Sequence, residues 1–227
     1  MTEVNTTYQS NSASSGKMLR AMVGIGILCA LMIVLTYEGT LPRVTRLKAE
    51  ALERAIFKVI PGTEKTSAFR YEENNGFSAV GDGEKTGKII YAGYDKNEQL
   101  TGVAIEASGM GYADVIRILY GYDFTRQAVV GFYVLESKET PGLGDKIEKD
   151  ENFLSNFIAL DASLNDDLTN LKNKIIPVKS GAKKNKWEVD CITGATISSR
   201  TIGEIIGEST EEWVPVIFKN KEAFNAP

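Results

Sequence analysis

The sequence predicts an α+β protein: one N-terminal transmembrane helix, then a twisted antiparallel sheet with helices packed against it. Three observations carry this expectation. From Met18 to Tyr37 the chain is apolar apart from Arg20, and a helix of about twenty residues spans about 30 Å, enough to cross the hydrocarbon core. Between Lys88 and Leu135, runs rich in β-branched and aromatic residues alternate with turn-forming residues. From Ser198 to Trp213, Ile202, Ile205, Ile206 and Trp213 recur at helical spacing.

The elements follow in order. Residues 1–16 are polar and rich in Ser, Thr and Asn, and read as a flexible tail. Residues 17–37 form the expected transmembrane helix, with Arg20 able to snorkel from its end. A cleaved signal peptide is the rival, with Lys17 and Arg20 as its basic region. The apolar run is long for that role, and no Ala-x-Ala site follows. Residues 38–62 read as a linker and an amphipathic helix. In that segment Leu47, Leu52, Ile56, Val59 and Ile60 share one side before Pro61-Gly62 stops the helix. Residues 63–227 form the folded domain. In it, Lys88–Tyr94 and Leu100–Ala107 flank a hairpin turn at residues 95–99. Val115–Tyr120 and Ala128–Leu135 repeat the pattern around Gly121-Tyr122-Asp123. Asn152–Leu160 reads as a short helix, Trp187–Ile192 as a strand and Ser198–Trp213 as the closing helix.

Composition restricts the chemistry. With 26 basic and 30 acidic residues the net charge is −4, which offers no basic field for the phosphates of a nucleic acid. The chain has no histidine, so the usual general base, the commonest transition-metal ligand and any Ser/His or Cys/His pair are absent. Its two cysteines are Cys29, inside the apolar run, and Cys191. Neither a structural disulfide nor a zinc or iron–sulfur ligand set follows from them. Chemistry must come from carboxylates, hydroxyls, lysines or a bound cofactor. Lys17 and Arg20 before the span face Arg43, Arg46 and Lys48 after it, so flanking charge leaves the orientation open.

The most specific segment is Asp190-Cys191-Ile192-Thr193-Gly194-Ala195-Thr196, at the junction between a predicted strand and a predicted helix. Free N–H groups and the positive end of the helix dipole at such a junction stabilise a phosphate. Gly194 permits close approach, Ala195 keeps the site uncrowded, and Thr196 supplies a hydroxyl where the phosphate would rest. Read as an ordinary turn, the segment would use Ser198 or Ser199 as the helix cap. The whole pattern arises by chance in roughly one chain of this size in a few thousand.

This segment resembles the flavin-attachment signature of the FMN-binding domains in RnfG and the related NqrC subunit of sodium-pumping NADH:quinone oxidoreductase. In that family a flavin transferase uses FAD to link FMN, through its phosphate, to the last threonine. The resemblance puts covalent FMN on Thr196 and gives Asp190 and Thr193 a part in recognition by the transferase. A second segment, Glu139-Thr140-Pro141-Gly142-Leu143-Gly144, resembles the family's loop beside the isoalloxazine ring. Pro141 and the glycines fix a turn whose N–H groups can face the flavin. RnfG-like chains often carry a histidine where Ser137 stands. A third segment, Ala107-Ser108-Gly109-Met110-Gly111-Tyr112, resembles the family's Gly-rich stretch before a strand, in which Tyr112 can stack on a ring. Lys146-Ile147-Glu148 favours RnfG over NqrC.

The resemblance implies an electron-relay subunit without catalytic acid or base, in a membrane complex that couples ferredoxin:NAD electron transfer to Na⁺ or H⁺ movement. It implies partner membrane subunits, a transferase during maturation, and a domain on the periplasmic or extracytoplasmic side of the inner membrane. Two alternatives remain open: a free-standing anchored FMN-binding electron-transfer protein, and a non-redox assembly or ligand-binding module. Asn165-Asp166-Asp167 reads as a solvated turn rather than a cation site, and Lys183-Lys184-Asn185-Lys186 as an exposed tip.

Overall fold

A computed structural model of the protein describes residues 15–73, 75–81 and 87–225. The expected tail therefore lies outside the described residues, except for Ser15 and Gly16, which are already helical. Contacts divide the chain into two compact units, Met1–Ala49 and Glu50–Pro227.

Helix α1 runs from Ser15 to Val59 without a break, with Pro42 inside it. Residues 38–44, expected as a linker, are helical. Proline forfeits one backbone hydrogen bond, yet the hydroxyls of Thr36, Thr40 and Thr45 donate to the carbonyls of Met32, Thr36 and Leu41. These threonines thus satisfy their own polar atoms within the helix. In the first unit the large apolar side chains from Met18 to Tyr37 are exposed, and α1 is long and apolar enough to cross a membrane.

Residues 50–59 of α1 belong to the second unit, whose frame is a seven-stranded antiparallel sheet. Its strands are β1 (Lys65–Glu72), β2 (Gly76–Val80), β3 (Lys88–Tyr94), β4 (Leu100–Met110), β5 (Val115–Asp123), β6 (Ala128–Glu136) and β7 (Leu160–Asp161). They lie in the order β2-β1-β3-β4-β5-β6-β7. The β3–β4 turn closes on Asp95, whose carboxylate accepts the N–H groups of Asn97 and Gln99. Gly121-Tyr122-Asp123, expected as the next turn, is instead the end of β5. The reversal falls one step later, where Asp123 accepts the N–H groups of Thr125 and Arg126 and Gln127 takes φ 48°. An aspartate able to bond the backbone ahead of it sets this turn, not the glycine.

Beyond the sheet lie helix α2 (Glu151–Ser155), β8 (Ile176–Val178), β9 (Glu188–Asp190) and helix α3 (Thr196–Lys219). Helix α2 is shorter than expected, and the Asp150 carboxylate caps it by accepting the Phe153 N–H. Strands β8 and β9 pair in parallel, apart from the main sheet.

Strand alternation divides the core between the two faces of the sheet. Ile116, Ile118, Tyr120 and Tyr122 of β5 join the cluster that contains Ile202, Ile206, Val214 and Ile217 of α3. Leu119 points the other way, into a cluster with Ala55, Ile56, Val59, Ile60 and Ala104. Each isoleucine, leucine or valine among them contributes about 1.5–3 kcal/mol on full burial. The end of α1 fits because Gly121 and Gly131 are cross-strand partners. A Cβ at either would lie 1.9 Å or 2.3 Å from the Val59 carbonyl oxygen.

Candidate functional site

Strand β9 ends at Asp190, and six residues later α3 begins at Thr196, two positions ahead of the expected start at Ser198. Gly194 makes the turn at φ 85°. The cap residue, Ala195, has no polar side-chain atom and makes no cap hydrogen bond. Ser199, one of the two serines expected at the cap, acts from inside the helix instead. Its Oγ accepts the Ile192 N–H at 3.0 Å and donates to the Ala195 carbonyl at 2.8 Å. The first intrahelical bond joins the Ser199 N–H to the Ala195 carbonyl, so the N–H groups of Thr196, Ile197 and Ser198 lie ahead of it. Such groups look for an outside acceptor. Thr193, Gly194 and Thr196 are exposed and Ala195 is buried. The Thr196 hydroxyl has a single long contact, 3.4 Å to the Ile192 carbonyl.

Glu139 gathers the three segments singled out above. It is 6% exposed. One carboxylate oxygen accepts the Ala113 N–H at 3.0 Å, beside the Gly-rich stretch, and the other accepts the Ser198 hydroxyl in the first turn of α3. Two glycines make room for it. A Cβ on Gly111 would lie 2.5 Å from one carboxylate oxygen, and a Cβ on Gly144 2.6 Å from the other. Glu139 therefore acts as a staple beneath the site rather than as a group at its surface.

The loop after Glu139 is also organised inward. The Thr140 carbonyl accepts the N–H groups of Leu143, Gly144 and Asp145, and the Gly142 N–H, at φ 79°, donates to Asp145. The expectation that these N–H groups face a ligand is corrected: the turn consumes them. The loop presents side chains instead. Leu143 is 54% exposed, and Met110, Tyr112 and Ile197 of the other two segments are 70%, 69% and 53% exposed. Tyr112, Leu143 and Ile197 each adjoin a residue that Glu139 touches or packs against. Exposed apolar side chains on segments that meet at one residue are the kind of apolar rim a binding surface offers.

Beside the Thr193–Gly194 turn lies a cleft of about 580 Å³, lined by Lys146, Asn156, Lys183, Asp190 and Thr193 among others. Asn156, which the sequence did not single out, is buried there. Its side-chain amide pairs with both the N–H and the carbonyl of Asp190, as a neighbouring strand would. Its oxygen also accepts the Lys183 ammonium at 2.9 Å. Partial burial holds the Lys183 pKa below the ordinary lysine value despite the Asp190 and Glu188 charges nearby. The Asp190 carboxylate accepts the Gly181 N–H at 2.8 Å and so fastens the 179–182 turn. Cys191 lines the cleft, and burial raises its thiol pKa. Among the described residues no cluster of three or more His, Cys, Asp or Glu side chains could hold a metal ion.

The site thus suits an amphipathic ligand: an anion at the start of α3 and a flat apolar ring against the rim. Comparison with known proteins points the same way. Residues 111–210, which contain all three stapled segments from Gly111 onward, match the FMN-binding domain family. The chain is 28% identical over 202 residues to RnfG of the ion-translocating oxidoreductase complex of Methanosarcina acetivorans, covering 89% of this chain and 96% of that one. It is 32% identical over 186 residues to RnfG of Haemophilus influenzae, covering 78% and 80%. Among solved structures, NqrC of Shewanella oneidensis superposes with a TM-score of 0.55 at 16% identity. That match covers 79% of this chain and 97% of that one, a likeness of fold. The chain belongs to the RnfG family of ion-translocating oxidoreductase complex subunits, with an FMN-binding domain at residues 111–210.

Proposed function

We propose that this protein is an electron-relay subunit carrying FMN as a phosphoester on Thr196. The membrane complex around it couples ferredoxin:NAD electron transfer to Na⁺ or H⁺ translocation. The observation that carries the reading is the Glu139 staple, which sets an exposed threonine hydroxyl at the start of α3 beside an apolar rim. Bound FMN supplies the redox chemistry. The chain's own residues bind and orient it. The N–H groups of Thr196, Ile197 and Ser198 face the phosphate, Gly194 admits it, and Leu143, Tyr112 and Ile197 cover the ring. Thr193 and the Asp190-fastened turn present the segment to the flavin transferase. On attachment, the FMN phosphoryl group of FAD passes to Thr196 Oγ; the hydroxyl loses its proton and AMP leaves. Thr196 is a tether, so no histidine or other base of this chain is required. In this reading the anchor is uncleaved, the domain lies on the extracytoplasmic side, and its partners are the other membrane subunits.

Intact mass of the chain made in cells that possess the transferase tests the reading. The expected result is a gain of one FMN less one water, with a fluorescent band on a denaturing gel under ultraviolet light. Thr196→Ala abolishes both and leaves stability within about 0.5 kcal/mol, because the hydroxyl makes only one long contact. An unmodified, dark wild-type chain from those cells refutes covalent attachment.

A further inference from the structure

One cation beside the α3 turn lacks a counter-charge among the described residues. Lys146 lies in the 3-10 turn Gly144–Glu148 and is half-buried at the edge of the cleft. Around the position a Cβ would take on Gly194, the Lys146 ammonium is the one atom within 4 Å, at 3.9 Å. The charges nearby are committed elsewhere. Asp145 pairs with Lys149 at 2.6 Å, Asp150 caps α2, and Asp190 holds Gly181. Among the described residues no carboxylate lies in ion-pair range of Lys146. Ordering a lysine side chain costs conformational entropy, and here no protein ion pair offsets it. Its ammonium instead overlooks the side-chain-free face of Gly194, two residues before Thr196.

We propose that Lys146 is a phosphate-binding residue of this site, the counter-charge that makes it select a flavin phosphate over an unphosphorylated flavin. The inference rests on the FMN reading above and deepens it. A phosphate at Thr196 is met by the N–H groups of the first turn of α3 on one side and by the Lys146 ammonium across Gly194 on the other. The absence of a Cβ at position 194 leaves that approach open.

The test uses the full chain in detergent, purified from cells without the transferase, titrated separately with FMN and riboflavin by fluorescence. Wild type is expected to bind FMN at least about tenfold more tightly than riboflavin, the scale of one charge-assisted contact. Lys146→Ala lowers that preference about tenfold, leaving only what the N–H groups of α3 supply, without changing riboflavin binding. Lys146→Arg retains most of the preference, and Lys149→Ala, whose ammonium already pairs with Asp145, retains all of it. A Lys146→Ala chain that keeps the wild-type preference overturns the proposal. So does a wild-type chain that binds the two flavins equally or binds neither. Thermal unfolding of Lys146→Ala at the wild-type midpoint shows that the loss is not one of folding. Failure of covalent attachment is read separately, by intact mass, and leaves the FMN-to-riboflavin ratio to judge Lys146.

Discussion

Replacing Glu139 with alanine should loosen the whole site from beneath. The substitution deletes an acceptor for two donors, the Ala113 N–H and the buried Ser198 hydroxyl. A hydrogen bond to a charged acceptor contributes about 1.5–3 kcal/mol. Part of that sum is already offset by the cost of burying a carboxylate, so the expected net loss is about 3–4 kcal/mol. Glutamine should behave differently. Its carbonyl can keep the Ala113 N–H, and its amide can donate to Ser198 Oγ once that hydroxyl turns its own proton away. The loss should then be about 1 kcal/mol. Gly144→Ala attacks the same staple from the side. Its Cβ would sit 2.6 Å from a Glu139 oxygen and 2.8 Å from the Glu139 Cβ, an overpacking cost of about 1–3 kcal/mol. That cost should shrink in the Glu139→Ala background, where the oxygen is gone. Urea unfolding of the full chain in detergent, followed by Trp187 and Trp213 fluorescence, measures all four variants. An alanine variant as stable as wild type, or a glutamine variant as damaged as the alanine, would refute the staple.

Two further predictions concern the frame. Gly131→Ala forces a Cβ to within 2.3 Å of the Val59 carbonyl oxygen, a backbone atom that cannot rotate away. A loss of about 3 kcal/mol is expected in the same unfolding assay, and an unchanged midpoint would show that the end of α1 does not sit on β5 and β6. Burial raises the phenol pKa of Tyr120 and Tyr122 above the ordinary 10.0. Below that value both states keep their protons and these groups add no pH dependence. Above it the unfolded chain ionises first, so stability falls as pH rises, by up to about 1.4 kcal/mol per pH unit for each tyrosine. Unfolding midpoints measured from about pH 9 to 11 should flatten in Tyr120→Phe/Tyr122→Phe; an unaltered slope would place the effect elsewhere.

Much of the frame was legible because its information is local. Alternation placed β3 at Lys88–Tyr94, Asp95 set the following turn, and the isoleucine spacing of α3 appeared before any partner was known. The misplaced features depend on remote partners. Gly121 looks like a turn residue until the Val59 carbonyl is seen against it. Strands β1 and β2, not anticipated, lack a clean alternating pattern and are held by their pairing with β3 and with each other. Strands β8 and β9 pair in parallel across an intervening loop, which no short window of sequence reports.

The residue chemistry of the site was present in the chain order: a threonine after Gly-Ala, a glycine-bounded loop with a glutamate at its head, a Gly-rich stretch before β5, and no histidine. Periodicity and turn chemistry act over a few neighbours, so these features could be read without a fold. Which of them touch was a matter for the tertiary structure. Glu139 reaches Ala113 across 26 positions and Ser198 across 59, and it lies under the site because the sheet and α3 bring those residues together. The same packing turned Ser199 into the brace of the α3 turn, gave Asn156 the role of a strand partner, and set Lys146 across from Gly194. Hydrogen bonds and charge contacts act over a few ångströms, and only folding can make residues so far apart in the chain neighbours at that range.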